Sequence, residues 1–370
     1  MSAPSYRGLT WDHPRGYNAL AAAATRAEGL ALHWDKHPLE GFESHPIADL
    51  CARYDLVVLD HPHVGEAVAG DCLIPVEELF DAEEIAVWRA AVAGPSLASY
   101  HYAGRHWALP LDAATQVMAY RRDRVDTPPQ TWDDLPAFAA RHRVALSLAG
   151  PHAILSFQSV CGALGADRSG ETFVDRTIAR EAYGLMAALT GDATVRAQEM
   201  NPIAMLGAME RSEDIDLCPL IYGYVNYATR GVGFADAPRG MGGRIGSTLG
   251  GTGIGVSRRC EVTPALLDHL RWLMSEPVQR EFIPRHDGQP ALRAAWSNPA
   301  VNAATGNFFA ATLATVEQAL LRPRHNGGIA FQTAASARLR AALLAREAAE
   351  PVLDDIDTLY RNHHPAGAET

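Results

Sequence analysis

Asp55-Leu56-Val57-Val58-Leu59-Asp60-His61-Pro62-His63 reads as a short strand that ends in polar, ring-bearing residues. Leu56 to Leu59 is apolar without alternation, as a strand covered on both faces requires. Two upstream segments end in nearly the same way: Gly8-Leu9-Thr10-Trp11-Asp12-His13-Pro14 and Leu30-Ala31-Leu32-His33-Trp34-Asp35-Lys36-His37. Helical sequence separates these two, so the pattern is βαβ and the three strand ends share one sheet edge. In open α/β folds ligands bind at that carboxyl edge, near the switch in strand order. Trp11, Asp12, His13, Asp60, His61 and His63 are therefore expected to crowd one rim.

Outward from this unit the chain continues to alternate. The alanine-rich run Tyr17 to Glu28 predicts a helix that Pro14 helps to start. Phe42 to Tyr54 carries apolar residues at roughly helical spacing. Tyr100 to Trp107 predicts a hairpin about Ala103-Gly104, followed by one long extended segment through Asp112 to Arg121 that passes between lobes. Thr131 with Asp134 three residues on predicts a helix start. Strands are predicted at Val144 to Leu148, Leu217 to Tyr224 and Ile254 to Ser257. Helices are predicted over Pro151 to Gly165, Ala204 to Arg211 and Pro264 to Ser275, and through most of Asn307 to His364.

Bulk properties narrow the function. A chain of 370 residues suits two domains of about 100–200 residues each. With 48% hydrophobic and 20% charged residues it is a globular composition with real cores. A net charge of −11 repels phosphate backbones, so nucleic acid is not an expected partner. No apolar run reaches the roughly 18 residues of a membrane helix, so no membrane insertion is expected. The five cysteines are widely spaced with no CxxC pair, which predicts reduced, mostly buried thiols. The first residues, Met1 to Gly8, carry no export signal. As written the chain is expected in the cytoplasm, and in the periplasm or outside the cell if a signal has been removed.

Five groups of residues then converge. Tyr54 to Asp60 is a "YDLV" strand. Gly104 to Asp112 is followed by Met118-Ala119-Tyr120-Arg121-Arg122-Asp123, and then by Pro128-Pro129-Gln130-Thr131-Trp132-Asp133-Asp134-Leu135. Leu249-Gly250-Gly251-Thr252-Gly253-Ile254-Gly255-Val256-Ser257 follows. The last group is Trp272 to Phe282 with Gly288-Gln289-Pro290 and Arg322-Pro323-Arg324. In this order the chain resembles the family 1 extracellular solute-binding proteins, the maltose-binding-like sugar-binding subunits of ABC importers. The resemblance covers nearly the whole chain. It implies a two-lobe α/β periplasmic-binding-protein-like fold joined by crossing strands, with residues 1–112 and 252–306 in the N-lobe and 113–251 and 307–370 in the C-lobe. It implies a small polar ligand (a sugar, sugar acid or other small carboxylate) captured by hinge closure. It also implies a monomer, and an ABC permease as partner if the chain is exported. No cofactor and no metal are expected. The first strand, ending Trp11-Asp12-His13-Pro14-Arg15-Gly16, is not the usual family opening.

The expected ligand contacts are Trp11, Asp12, His13, Arg15, Asp60, His61, Trp107, Asp112, Tyr222, Tyr224, Arg244, Gly250, Gly251 and Thr252. Flat rings stack on sugar faces. Arg15 sits where a helix start favours an anion. Arg244 offers a bidentate contact to an acidic ligand. The two Asp-His pairs admit another use, because imidazole and carboxylate ligate metals and move protons near neutrality. A cytoplasmic enzyme using His13, His61, Asp12 and Asp60 is thus an alternative, and an intracellular ligand sensor a second. The plain reading of the same residues is that the aspartates stabilise turns and His13 caps a helix. Met241 to Gly253 lacks the Gly-Lys-Ser/Thr ending of a nucleotide loop. Cys161 reads as helix core.

Overall fold

The computed structural model describes residues 3–166, 172–211 and 214–364. Strands β1 (Ser5–Trp11), β2 (Ala31–His37) and β3 (Leu56–Leu59) are parallel, with β1 in the middle. The three ends therefore do share one edge. Helix α1 (Pro14–Ala24) makes the first crossover, with Pro14 at its first turn, where a missing N–H leaves nothing unpaired. After β2 the chain makes two short helices, α2 (Leu39–Ser44) and α3 (Ile47–Cys51), where one was expected. Pro46 separates them: it has no N–H to donate and holds His45 in an extended conformation. Helix α4 (Val64–Ala69) then leads to β4 (Leu73–Ile74).

The hairpin falls where the sequence places it, between β5 (His101–Tyr102) and β6 (Arg105–His106), with Ala103 and Gly104 both at positive φ. The long extended segment is one strand, β7 (Leu109–Arg121), buried over nearly its whole length. Its first half pairs with β10 (Leu249–Ser257), and its second half with β8 (Leu217–Tyr222) and β9 (Val232–Ala235). Strand β10 in turn leaves β7 after Ile254 and runs antiparallel to β3. The order is β2-β1-β3-β10-β7-β8. Two strands are thus shared between the two halves of the sheet. A third extended piece, Leu320, bonds to Ser247 and Leu249 and carries the chain on to Arg322.

Val144 to Leu148 is not a strand. Val144 makes one bridge to Leu217, and the Leu146 N–H then goes to Thr194 Oγ1 at 3.0 Å, so a side chain takes the place of a ladder partner. The helix expected to be capped at Thr131 starts later, at Leu135–Ala139 with Asp134 as its N-cap: the Thr131 hydroxyl and N–H both donate to Asp134 Oδ2, at 2.6 and 3.2 Å, and close a turn ahead of the helix.

Separate apolar cores flank the sheet. Tyr6, Leu20, Trp34, Leu56, Val58, Leu266 and Leu270 form one under the parallel strands. Trp132, Phe157, Leu217, Phe331 and Leu339 form another, from the helices His152–Ala163 and Gly328–Ala345. A third joins Val117, Ile221 and Tyr224 to Trp296, Phe308 and Phe309. Each large side chain so buried contributes roughly 1.5–3 kcal/mol. The first two cores belong to the two lobes, which are joined by β7 and β10; the cleft between the lobes has these strands at its floor.

Candidate ligand-binding cleft

Trp11 ends β1 buried against the cleft, with its indole N–H unpartnered. The next two residues turn away. Asp12 is exposed and pairs with Lys36 Nζ at 2.7 Å. His13 caps α1, its Nδ1 accepting the Arg15 N–H at 3.2 Å. Burial and the nearby Arg15 charge pull the His13 pKa down to about 4, so the ring is neutral at pH 7 and suited to accept. It lines a separate, open groove of about 520 Å³ with Asn226, Tyr227, Arg230 and Asp287.

Arg15 is buried in the first turn of α1. Its Nε and Nη2 hold both oxygens of Asp112, at 2.8 and 2.5 Å, and Nη1 donates to the Gly223 carbonyl at 3.1 Å. The guanidinium lies over the Tyr224 ring, 4.6 Å from its centre. The same residue thus ties the N-terminal lobe to β7 and to the segment after β8.

A second buried cation does the same at the other strand end. Arg322 Nη2 contacts Asp60 Oδ1, Nε donates to the Leu249 carbonyl at 3.0 Å, and the backbone N–H donates to His61 Nε2 at 3.3 Å. Burial pushes the Asp60 carboxyl up, but Arg322 and His61 outweigh it and hold it well below the usual carboxylate range. His61 is fully buried, and burial followed by the Arg322 charge lowers its pKa to about 4. It supports Arg322 from beneath as a neutral ring.

Between these two ion pairs lies a cavity of about 50 Å³. Of the residues expected at the ligand, Trp11, Arg15, Asp60, Tyr222, Tyr224, Gly250, Gly251 and Thr252 line it. Asp12, His13, His61, Trp107, Asp112 and Arg244 do not. Asp112 and His61 stand behind the arginines. Trp107 is core beside Tyr100 and Leu59, its Nε1–H donating to the Tyr102 carbonyl at 2.8 Å. Arg244 is exposed on the turn that follows Met241–Gly243, away from the lining.

The glycines of β10 have a definite purpose here. Gly251 has φ +87°, and a Cβ there would lie 2.3 Å from the Asp112 carbonyl oxygen. At Gly250 a Cβ would lie 2.5 Å from the Tyr222 ring. Tyr222 therefore lies flat on the strand, with its hydroxyl 3.1 Å from Thr248 Oγ1.

Phe42, Glu43, His152 and Arg322 also line the cavity and were not expected as contacts. Arg322 had a signal, the Arg-Pro-Arg motif. Glu43 and His152 had none, because they lie far apart in sequence and face each other across the cleft, with Glu43 Oε1 3.6 Å from His152 Nε2. Burial and the Asp60 charge push the Glu43 carboxyl up to about 8, while burial and Arg322 pull His152 down to about 3. Both are neutral at pH 7. Two cations matched by two carboxylates, with a neutral acid and a neutral imidazole, give the cavity no net charge. Trp11 Nε1, both His152 ring nitrogens and Thr252 Oγ1 are buried without hydrogen-bond partners. Among the described residues no three His, Cys, Asp or Glu side chains gather as a metal-binding group. The two Asp-His pairs at the rim are separated by these different partners.

This arrangement, two lobes around a polar cleft floored by shared strands, defines the solute-binding class of fold. Residues 48–197 match the sequence profile of the family described as bacterial extracellular solute-binding protein. Solved structures agree on the fold. The maltose-bound T. maritima MalE3 superposes with a TM-score of 0.79 at 18% identity, over 96% of this chain and 98% of that one. An ABC transporter solute-binding protein from Agrobacterium radiobacter in complex with ribitol gives 0.77 at 18% identity, over 98% and 99%. A cyclic alpha-maltosyl-1,6-maltose binding protein from Arthrobacter globiformis gives 0.77 at 16%, over 98% and 99%. No curated protein sequence matches the chain. The resemblance to maltose-binding-like proteins read from the sequence motifs therefore stands, and the fold is theirs. Among the described residues no helix is long and apolar enough to cross a membrane.

Proposed function

We propose that this protein captures a small, uncharged, polyhydroxylated solute in the cleft by hinge closure and presents it to an ABC permease outside the cytoplasm. One observation supports the choice of ligand above the others. Arg15 and Arg322 are the buried cations of the lining, and each is already neutralised by a carboxylate. A sugar acid or other carboxylate would have to displace Asp112 or Asp60 and leave it buried without its partner, at a cost of several kcal/mol. Hydroxyl groups instead suit the unpartnered Trp11, His152 and Thr252 atoms, and the Trp11, Phe42, Tyr222 and Tyr224 rings suit a sugar or polyol face. Ribitol and maltose, held by similar folds, are of this class.

A cavity of about 50 Å³ holds only a few water molecules, too little for a sugar ring. Entry therefore requires the lobes to part about β7 and β10, the domain-closure mode of binding proteins. Titration calorimetry against pentitols, hexoses and maltose beside glucuronate and gluconate tests the reading, with small-angle scattering of the same mixtures. The expected result is binding of an uncharged member at least tenfold tighter than its acid analogue, with a smaller radius of gyration when bound. Binding of the acids alone overturns it.

A further inference from the structure

Two of the five cysteines lie together. Cys51 ends α3, and Cys72 follows α4 immediately before β4. Their side chains are neighbours. Helices α3 and α4 pack side by side here, close enough that a Cβ placed on Gly70 would lie 3.7 Å from the Ala48 Cβ. The two cysteines share one apolar cluster with Leu50, Val64, Ala67 and Leu73. Cys161, Cys218 and Cys260 each lie in a different core. Cys51 is buried and Cys72 is partly exposed, so an oxidant reaches Cys72 first.

We propose that Cys51 and Cys72 are a redox pair that closes to a disulfide and staples the strand and turn carrying Asp60 and His61. The loop so closed, residues 52–71, contains β3, the Asp60–His63 turn and α4. This segment presents Asp60 to Arg322 at the cleft. Closure needs an oxidant, and a small disulfide such as oxidised glutathione suffices. Cys72 loses its proton to solvent and its sulfur attacks one glutathione sulfur, releasing one glutathione thiolate. Cys51 then loses its proton and its sulfur displaces the second glutathione from Cys72. Two protein thiols become one S–S bond, and one disulfide becomes two thiols. The neighbouring Cys51 thiol draws the Cys72 pKa down, which favours the first attack.

The test uses the full chain in a glutathione redox buffer, followed by denaturation, alkylation and peptide mass spectrometry. The expected product has lost the mass of two hydrogens and contains a Cys51–Cys72 cross-linked peptide, with Cys161, Cys218 and Cys260 still alkylated. Its melting temperature rises by a few degrees, and dithiothreitol reverses the rise. Neither change occurs in Cys72→Ser, or in Cys51→Ala should the first variant fail to fold. Five alkylated cysteines after oxidation, a stable glutathione adduct on Cys72, or a bond to any other cysteine overturns the proposal.

Discussion

At the scale of single residues the cleft is organised by two buried arginines. Each reaches from its own element to a carboxylate and a backbone carbonyl on another, so each fixes geometry as well as charge. His13 and His61, which the sequence places among the ligand contacts, act through them: one caps the helix of Arg15, the other accepts the backbone N–H of Arg322. Removing one partner of such a pair leaves the other charge buried and unpaired. Arg322→Ala is therefore expected to destabilise the protein by about 3–5 kcal/mol in urea unfolding. Arg322→Ala with Asp60→Ala should recover much of that loss, because no orphan charge remains. A double variant no more stable than the single one would show that Asp60 is not the penalised group.

At the scale of elements, most of the sheet was legible. The continuous apolar run of β3 and the long extended reading of β7 carry their own burial pattern, and the hairpin follows from Ala103-Gly104. What failed was local context. Phe42 to Tyr54 has helical spacing, yet Pro46 divides it. Val144 to Leu148 has strand composition, yet a threonine hydroxyl replaces its ladder. Strand β10 begins earlier than its apolar residues suggest, because Gly250 and Gly251 belong to it for steric reasons. Gly251→Ala is expected to cost about 2 kcal/mol or more in stability, from the positive φ and the close Asp112 carbonyl. Gly184→Ala, mid-helix in Arg176–Leu189 with nothing within 4 Å of the added Cβ and no positive φ, should instead stabilise by up to about 1 kcal/mol. Denaturation midpoints of both variants check the pair of signs.

At the scale of the whole molecule, the buried titratable groups set the pH range of stability. His61 and His152 have ordinary values of 6.5 and folded values of about 4 and about 3. Below pH 6.5 the unfolded chain takes up protons that the folded chain refuses, so stability falls with acid, by roughly 3 kcal/mol for a shift like that of His61. Glu43 runs the other way. Its folded value of about 8 lies above the ordinary 4.5, so its contribution is full below pH 4.5 and is lost as pH rises to about 8. Stability measured by urea unfolding should peak near pH 6.5, and Glu43→Gln should flatten the fall between pH 6.5 and 8. An unchanged slope in that variant would mean that Glu43 does not titrate there.

The sequence by itself determined the parallel βαβ start, the shared strands, the two-lobe class and eight of the cavity's residues, because strand periodicity, glycine and proline constraints and motif order are local properties of the chain. Only the tertiary structure decided which polar residues face the cavity. Asp12 and His13 share a strand end with Trp11, yet a lysine and a helix start claim them. Glu43 and His152 meet across the cleft, as do Arg322 and Asp60, from positions far apart in the chain. Charge neutrality in the cleft is a sum over such partners, and no single segment contains its own partner.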